Sequence, residues 1–279
     1  MPELPEAETI VRGLRRAVLG RRIRRVDVVH ADILRQPRRA FSAAVRHRTL
    51  TAVGRRGKNV LLHLDDGRVI AVNLGMTGGL LPFSAPPRGA RRPSHPAVVF
   101  RFHDGGVLIF DDTRRFGTVE ALTADEWRTR STRMGPEPLD PGFSPRQLYD
   151  DLARSRSPVR SWLLDQRRIA GVGNIYAAEA LYLSGVHPLR PANRVTRTEA
   201  RKLHRALREV LENAIRSGGT TIRDYRNAEG DEGAYARRLH VYGRQGEPCP
   251  RCGDTVARVV FSNRSAFYCP TCQPGDHLG

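Results

Sequence analysis

The sequence predicts an α+β chain of several domains: an N-terminal helix with an antiparallel β-sandwich, a helical domain, and a C-terminal β-hairpin zinc finger. Three observations predict it. Residues 22–120 alternate with a period of two and are punctuated by tight turns, residues 144–216 follow a helical period, and the four cysteines gather near the end as C-x2-C-x16-C-x2-C. Short strands that follow one another without intervening helices give an antiparallel sandwich or barrel rather than a parallel sheet.

Residues 3–19 read as the first helix. Leu4, Ala7, Ile10, Val11, Leu14 and Val18 recur at spacings of three and four, and Gly20 closes the run. Glu3, Glu6 and Glu8 suit the positive end of the helix dipole, and Pro5 lies where a missing N–H costs nothing. Strands are expected over 23–29, 49–53, 59–64, 68–74, 97–103 and 107–111, with turns at Asp65-Asp66-Gly67 and Asp104-Gly105-Gly106. The Pro/Arg/Gly stretch 84–96 is a loop.

Residues 134–143 carry three prolines and two glycines without any period. This places a linker at 136–143, after an N-terminal domain of 1–135. A helical domain of 144–238 follows, then a zinc-finger module of 239–279. Ser144-Pro145 and Ser157-Pro158 start two helices, and Asn174 starts a third that ends at Gly185. Thr196 and Glu199 form a capping box for a fourth, with Leu203, Leu207, Val210, Leu211 and Ala214 as its apolar stripe. Residues 220–238 are polar and glycine-bearing, a flexible loop.

Of the 279 residues, 47 are Lys or Arg and 29 are Asp or Glu, a formal charge of +18 spread along the chain. Dispersed cations point to a polyanion, because neutralising phosphates releases their counterions. A GC-rich genome explains Arg in place of Lys but accounts less well for the net excess. No apolar stretch has the length of a bilayer span, and MPELPEAET is acidic where a signal peptide is basic. The expectation is a cytoplasmic protein without a membrane partner, in a reducing compartment that keeps its cysteines as thiols.

Cys249, Cys252, Cys269 and Cys272 have the spacing of two CxxC knuckles around one Zn2+. Two disulfides are the alternative, but nothing else looks secreted. With four protein ligands such a site is structural and leaves no position open for substrate. The insert holds an apolar run over 256–261, a turn-prone Ser262-Asn263, and Phe267-Tyr268, which reads as a hairpin. Elsewhere, the glycine-rich Ile169–Asn174 stretch can bring backbone N–H groups to a phosphate at a helix start. Three further turns carry chemistry: Arg55-Arg56-Gly57-Lys58, the 73–79 segment NLGMTGG, and the 111–117 segment DDTRRFG. Met76 and Phe116 read equally as core filling or as apolar wedges, and wedges beside arginines kink a duplex and hold a base out of the stack.

These segments, in this order, resemble the formamidopyrimidine-DNA glycosylase (Fpg/MutM) type of the Fpg/Nei family. The matching stretches are PELPE (2–6), RRGK (55–58), LGMTG (74–78), RRFG (114–117), DQRRIAGVGNIYAAEAL (165–181), SGGTTIRDY (217–225), VYGR (241–244) and the cysteine module. PELPE and SGGTT resemble the oxidised-purine branch rather than the endonuclease VIII branch. The resemblance implies a monomeric, bifunctional glycosylase and AP lyase acting on double-stranded DNA with oxidised bases, with a helix-two-turn-helix in its helical domain.

Site residues follow from the resemblance. Pro2, exposed by loss of Met1, is implied as the nucleophile at C1′, Glu3 as the proton donor, Lys58 as a contact to phosphate and sugar, and Glu6 and Glu179 as supporting acids. Met76, Arg114 and Phe116 are implied to fill the gap left by the flipped base. Asn73, Arg160, Asn174 and Arg264 are implied to hold the DNA backbone, with Lys58 and Arg264 counted with Pro2 and Glu3 among the catalytic residues, and Thr220, Thr221, Ile222, Arg223, Asp224 and Tyr225 to cap the lesion. No catalytic metal is implied. Three positions depart from the family pattern: Asn73 replaces a histidine, Asn59 a tyrosine after RRGK, and Arg160 a lysine. Two other readings stay open: an endonuclease VIII-like enzyme for oxidised pyrimidines, and a non-catalytic protein that binds damaged DNA.

Overall fold

The structure is a computed structural model that describes residues 2–89, 92–222, 227, 228 and 230–275. Its chain divides into two units, Met1–Arg133 with Ile215–Ala236, and Met134–Ala214 with Arg237–Gly279. Residues 215–236, expected in the helical domain, group with the N-terminal unit instead. No helix among the described residues is long and apolar enough to cross a membrane.

In chain order the first unit contains α1 (Leu4–Val18), β1 (Ile23–Val28), α2 (Arg38–Val45), β2 (Leu50–Arg56), β3 (Asn59–Leu64), β4 (Val69–Asn73), β5 (Gly79–Phe83), β6 (Pro96–Phe102), β7 (Val107–Asp111), β8 (Thr118–Leu122) and α3 (Ala124–Thr132). Two four-stranded sheets form, ordered β1-β6-β7-β5 and β2-β3-β4-β8. Every pairing within them is antiparallel. Alternation decides which face is inside. Val60, Leu62 and Leu64 of β3 meet Val98, Phe100 and Phe102 of β6 in one core, which the α1 stripe and Phe41 and Val45 of α2 complete. The opposite faces are also apolar: Leu61, Val69, Ala71 and Leu122 lie under Trp127 of α3, and Val99, Val107 and Ile109 under Phe83.

The expected strands are present, and four further elements join them. Strand β5 contains Gly79 and Pro82, which argue against a central strand, and it occupies a sheet edge where proline is tolerated. Strand β8 is a five-residue edge. Helix α2 buries only Phe41 and Val45, so its stripe is a single i, i+4 pair. Helix α3 has no fully buried residue and packs through half-buried Trp127, and its sequence signal is the Thr123–Glu126 capping box.

The second unit contains α4 (Pro145–Ala153), α5 (Val159–Leu164), α6 (Asn174–Ser184), most of α7 (Arg197–Arg216), β9 (Ala257–Phe261) and β10 (Arg264–Tyr268). Helix α7 buries the expected stripe and starts at the Thr196–Glu199 box, where the Glu199 carboxylate accepts the Thr196 N–H at 2.9 Å. The start of the expected linker is packed rather than loose. Gly135 donates to the Gln166 carbonyl at 2.9 Å, and Ala170 to that of Pro136 at 2.9 Å. A Cβ on Gly135 would come within 2.3 Å of the Arg168 backbone.

Candidate active site and metal centre

The first unit assembles its site around the start of α1. Pro2 is buried, and Glu3 and Glu6 are each only 1% exposed. A buried carboxylate is costly unless hydrogen bonds compensate it, and here they do. Glu6 accepts the N–H of Glu3 at 2.7 Å through one oxygen and the N–H of Thr220 at 2.7 Å through the other. One side chain thus fixes the backbone next to Pro2 and the base of the SGGTT segment. Glu8 continues the pattern outward: it takes Arg55 at 3.1 Å and Arg12 at 3.0 Å. Since Arg55 also donates to the Gly57 carbonyl at 3.0 Å, the turn that carries half-buried Lys58 is fastened to α1.

Thr220, Thr221 and Ile222 form the described part of the expected lesion cap; Arg223, Asp224 and Tyr225 lie outside the described residues. The base of this loop is a short antiparallel strap. Gly233 donates to the Thr221 hydroxyl at 2.8 Å, Tyr235 to the Gly219 carbonyl at 3.1 Å, and Thr220 bridges Ala234.

Met76, Arg114 and Phe116 stand on two turns whose backbones touch. Gly75 has φ of +60°, and a Cβ there would lie 2.4 Å from the Gly117 nitrogen, so only glycine fits. Fully buried Asp112 joins the turns by accepting from the Gly117 N–H at 2.8 Å and from the Thr77 hydroxyl, which itself accepts the Arg114 N–H at 3.0 Å. Phe116 is 58% exposed, and the Arg114 guanidinium lies 4.6 Å from its ring centroid. Met76 is 37% exposed. An exposed stack of this kind is poor core filling, which separates the two readings of Phe116. Asn73 is already engaged: it donates to Asn59 at 3.1 Å and accepts the Gly75 N–H at 3.1 Å.

The second unit builds its site on the glycine-rich turn before α6. Gln166 organises this turn, donating to the Leu164 and Val172 carbonyls at 3.1 and 2.8 Å and accepting the Gly171 N–H at 2.8 Å. Asn174 then begins α6. Its carboxamide oxygen takes Arg160 at 2.7 Å, and its nitrogen donates to the Ser265 carbonyl at 3.0 Å, to which Arg160 also donates at 3.0 Å. Arg160 is 1% exposed, and its Nε has no hydrogen-bond partner among the described residues. Burial and then the nearby Arg264 guanidinium push Arg160 below the usual arginine range. The resemblance implies a DNA contact for Arg160; its Nη2 holds Asn174 and the Ser265 carbonyl of β10. Arg264 is exposed beside a hairpin turn in which Ser262 and Asn263 have φ of 50° and 57°, the signature of a type I′ turn. Glu179, fully buried, accepts the N–H groups of His240, Val241 and Tyr242 at 2.8, 3.0 and 2.9 Å, so it holds the VYGR segment.

The four cysteines are unbridged, and their sulfurs lie within 4.8 Å of one another. Cys249 and Cys272 are 3.9 Å apart and Cys252 and Cys269 3.4 Å, near the roughly 3.8 Å that tetrahedral zinc–thiolate bonds dictate. Burial opposes ionisation of Cys249, yet the Tyr182 hydroxyl and the N–H groups of Arg251 and Cys252 bring it down to about 6. Burial and then the neighbouring sulfurs push Cys272 up to about 12. Four such thiols ionise together only around a shared cation, and the donor set fits one structural zinc.

Three family models cover the chain: the formamidopyrimidine-DNA glycosylase N-terminal domain over residues 1–119, the H2TH domain of that enzyme over 134–226, and the zinc finger found in FPG and IleRS over 246–275. A formamidopyrimidine-DNA glycosylase of Chloroflexus aggregans is 44% identical over 276 residues, 98% of each chain. The MutM (Fpg) structure of Thermus thermophilus superposes with a TM-score of 0.87 at 41% identity, covering 98% of each chain. Lactococcus lactis Fpg bound to DNA with an N7-benzyl-Fapy-dG or an oxidised pyrimidine gives TM-scores of 0.90 and 0.89 at 30% identity, over 98% of this chain and 100% of that one. With its sandwich, its helical turn and its cysteine module each matched in order, the protein belongs to the formamidopyrimidine-DNA glycosylase family.

Proposed function

We propose that the protein excises oxidised purines, 8-oxoguanine and formamidopyrimidines, from duplex DNA and then cleaves the abasic strand, using Pro2 as the nucleophile. The observation that carries this reading is the reciprocal capping box directly after Pro2, in which the buried carboxylates of Glu3 and Glu6 each take the other's backbone N–H. Once Met1 is removed, Pro2 is a secondary amine with an ordinary pKa far below that of lysine, so a usable fraction is unprotonated near neutrality. Its lone pair attacks C1′ while Glu3 protonates the sugar ring oxygen so that the C1′–O bond opens, and departure of the base from the resulting open-chain aminal leaves the Schiff base between Pro2 and C1′. Elimination of the 3′ and then the 5′ phosphate leaves a one-nucleoside gap. Lys58 contacts the phosphate and sugar at the lesion, Arg264 and Asn174 hold phosphates, and Met76, Arg114 and Phe116 occupy the space of the extruded base, with Arg114 facing the orphan cytosine. The cytoplasm, in association with the nucleoid, is the compartment this substrate implies.

Borohydride trapping over a panel of lesion duplexes tests the chemistry and the branch together. A covalent adduct with 8-oxoguanine and Fapy duplexes is expected, and Pro2→Gly should lose it while still binding the damaged duplex. Absence of any adduct with Met1 removed would reduce the protein to a damaged-DNA binder. The Lactococcus lactis complex with an oxidised pyrimidine makes thymine glycol a necessary member of the panel. Clear preference for it would move the protein to the endonuclease VIII-like reading.

A further inference from the structure

We propose that Tyr182 is an outer hydrogen-bond donor to the zinc cluster, acting on the Cys249 thiolate and thereby making helix α6 part of the metal site. Tyr182 is 1% exposed, and its hydroxyl lies 3.4 Å from the Cys249 sulfur. A thiolate that ligates zinc has no proton to give, so the phenol is the donor in the metal-loaded protein. Four thiolates on Zn2+ leave a net charge of −2, and hydrogen bonds to the sulfurs spread that charge. The backbone supplies such bonds from Arg251 at 3.4 Å and from Cys252 to Cys249, and from Cys272 to Cys269 at 3.4 Å. Tyr182 is the side chain that adds an O–H donor.

The phenol is held in place from several sides. Its ring stacks on His240 with centroids 5.3 Å apart and planes at 26°, and the Arg251 guanidinium lies 4.7 Å from its centroid. His240 is itself fixed, because its Nδ1 lies 2.8 Å from the Glu179 carboxylate. Helix α6 therefore hydrogen-bonds the C-terminal module along its length, through Asn174 at Ser265, Glu179 at 240–242 and Tyr182 at Cys249. Among these contacts, only that of Tyr182 falls on a metal ligand. The cysteine spacing alone gives no hint of it, because the donor comes from a different element 67 residues earlier.

Tyr182→Phe tests this, since it keeps the ring and removes one oxygen. With Co2+ in place of Zn2+, loss of the donor should shift the thiolate-to-metal charge-transfer band to lower energy. Zinc transfer to a chromogenic chelator should become faster, on the order of ten-fold. Tyr149→Phe, on α4 beneath Arg197, should move neither. An unchanged band and transfer rate in a folded Tyr182→Phe protein would overturn the proposal and leave the hydroxyl as space filling. If that variant does not hold the module folded, 3-fluorotyrosine incorporated into the unmutated chain supplies the second measurement. The more acidic phenol donates more strongly, so the band should shift to higher energy, and no shift would likewise overturn the proposal.

Discussion

Asn59 and Asn73 are neighbours across β3 and β4, in register and joined at 3.1 Å. The motif resemblance marks both as departures from the family pattern, and their contact couples the two positions. A carboxamide at position 73 keeps its orientation only because Asn59 accepts one of its protons while Gly75 donates to its oxygen. A double-mutant cycle of Asn59→Ala and Asn73→Ala should therefore show a coupling of about 0.5–1.5 kcal/mol in urea denaturation. Additive effects would mean that the amides are independently solvated. Asp112 is the other residue with a disproportionate reach, since one buried carboxylate holds the turns of Met76 and Phe116 together. Asp112→Ala should cost about 1–3 kcal/mol by leaving a buried N–H unpaired. It should also expose the 114–117 amides to hydrogen exchange. For Arg264, exposed at the hairpin, replacement by Ala should reduce the slope of log K against log salt on duplex DNA by about 0.9, one phosphate contact.

At the scale of elements, helix α7 shows how a cap becomes a pH response. Burial disfavours the Glu199 carboxylate, but the Thr196 N–H and hydroxyl and the Arg190 guanidinium outweigh it and hold its pKa below the ordinary range. A carboxyl depressed in the folded state contributes stability above its unfolded pKa of about 4.3 and loses it as pH falls through the folded value. Glu199→Gln should thus cost roughly 0.5–2 kcal/mol at neutral pH, and the gap from wild type should close on acidification below about pH 4. The α1 and α7 stripes were legible because long helices repeat their burial several times. Helix α3 was not, because a helix with no fully buried residue leaves only its capping box in the sequence. Strand β5 was hidden by Gly79 and Pro82, which signal a turn unless the edge position is known.

For the whole molecule, the cysteine spacing was read correctly as one metal site, whereas its attachment to α6 through Glu179 and Tyr182 depends on contacts that no local pattern encodes. The same holds for Asp112 and Glu8, ordinary acids in the sequence that prove to hold the turns of Phe116 and Lys58. Motif resemblance found the residues expected to face DNA; the residues that position them had to be seen. Metal removal makes the division measurable. Cys249 and Cys269 belong to a small core with Val241 and Val256, separate from the sandwich core. Chelation should therefore strip exchange protection from residues 239–275 and weaken duplex binding, while the amides of β3 and β6 stay protected.

The hydrogen bond from Thr220 to Glu6 joins residues 214 positions apart. The ordering entropy of so long a loop is met only when both ends are already structured. A chain emerging from the ribosome folds its N-terminal strands first, so it holds the segment after Pro2 in a finished sandwich well before Thr220 exists. Through that interval Glu6 lacks the Thr220 N–H that one of its oxygens accepts in the finished fold. Incomplete chains thus hold the start of α1 without the backbone that closes on Glu6, and that contact waits until synthesis has passed Thr220.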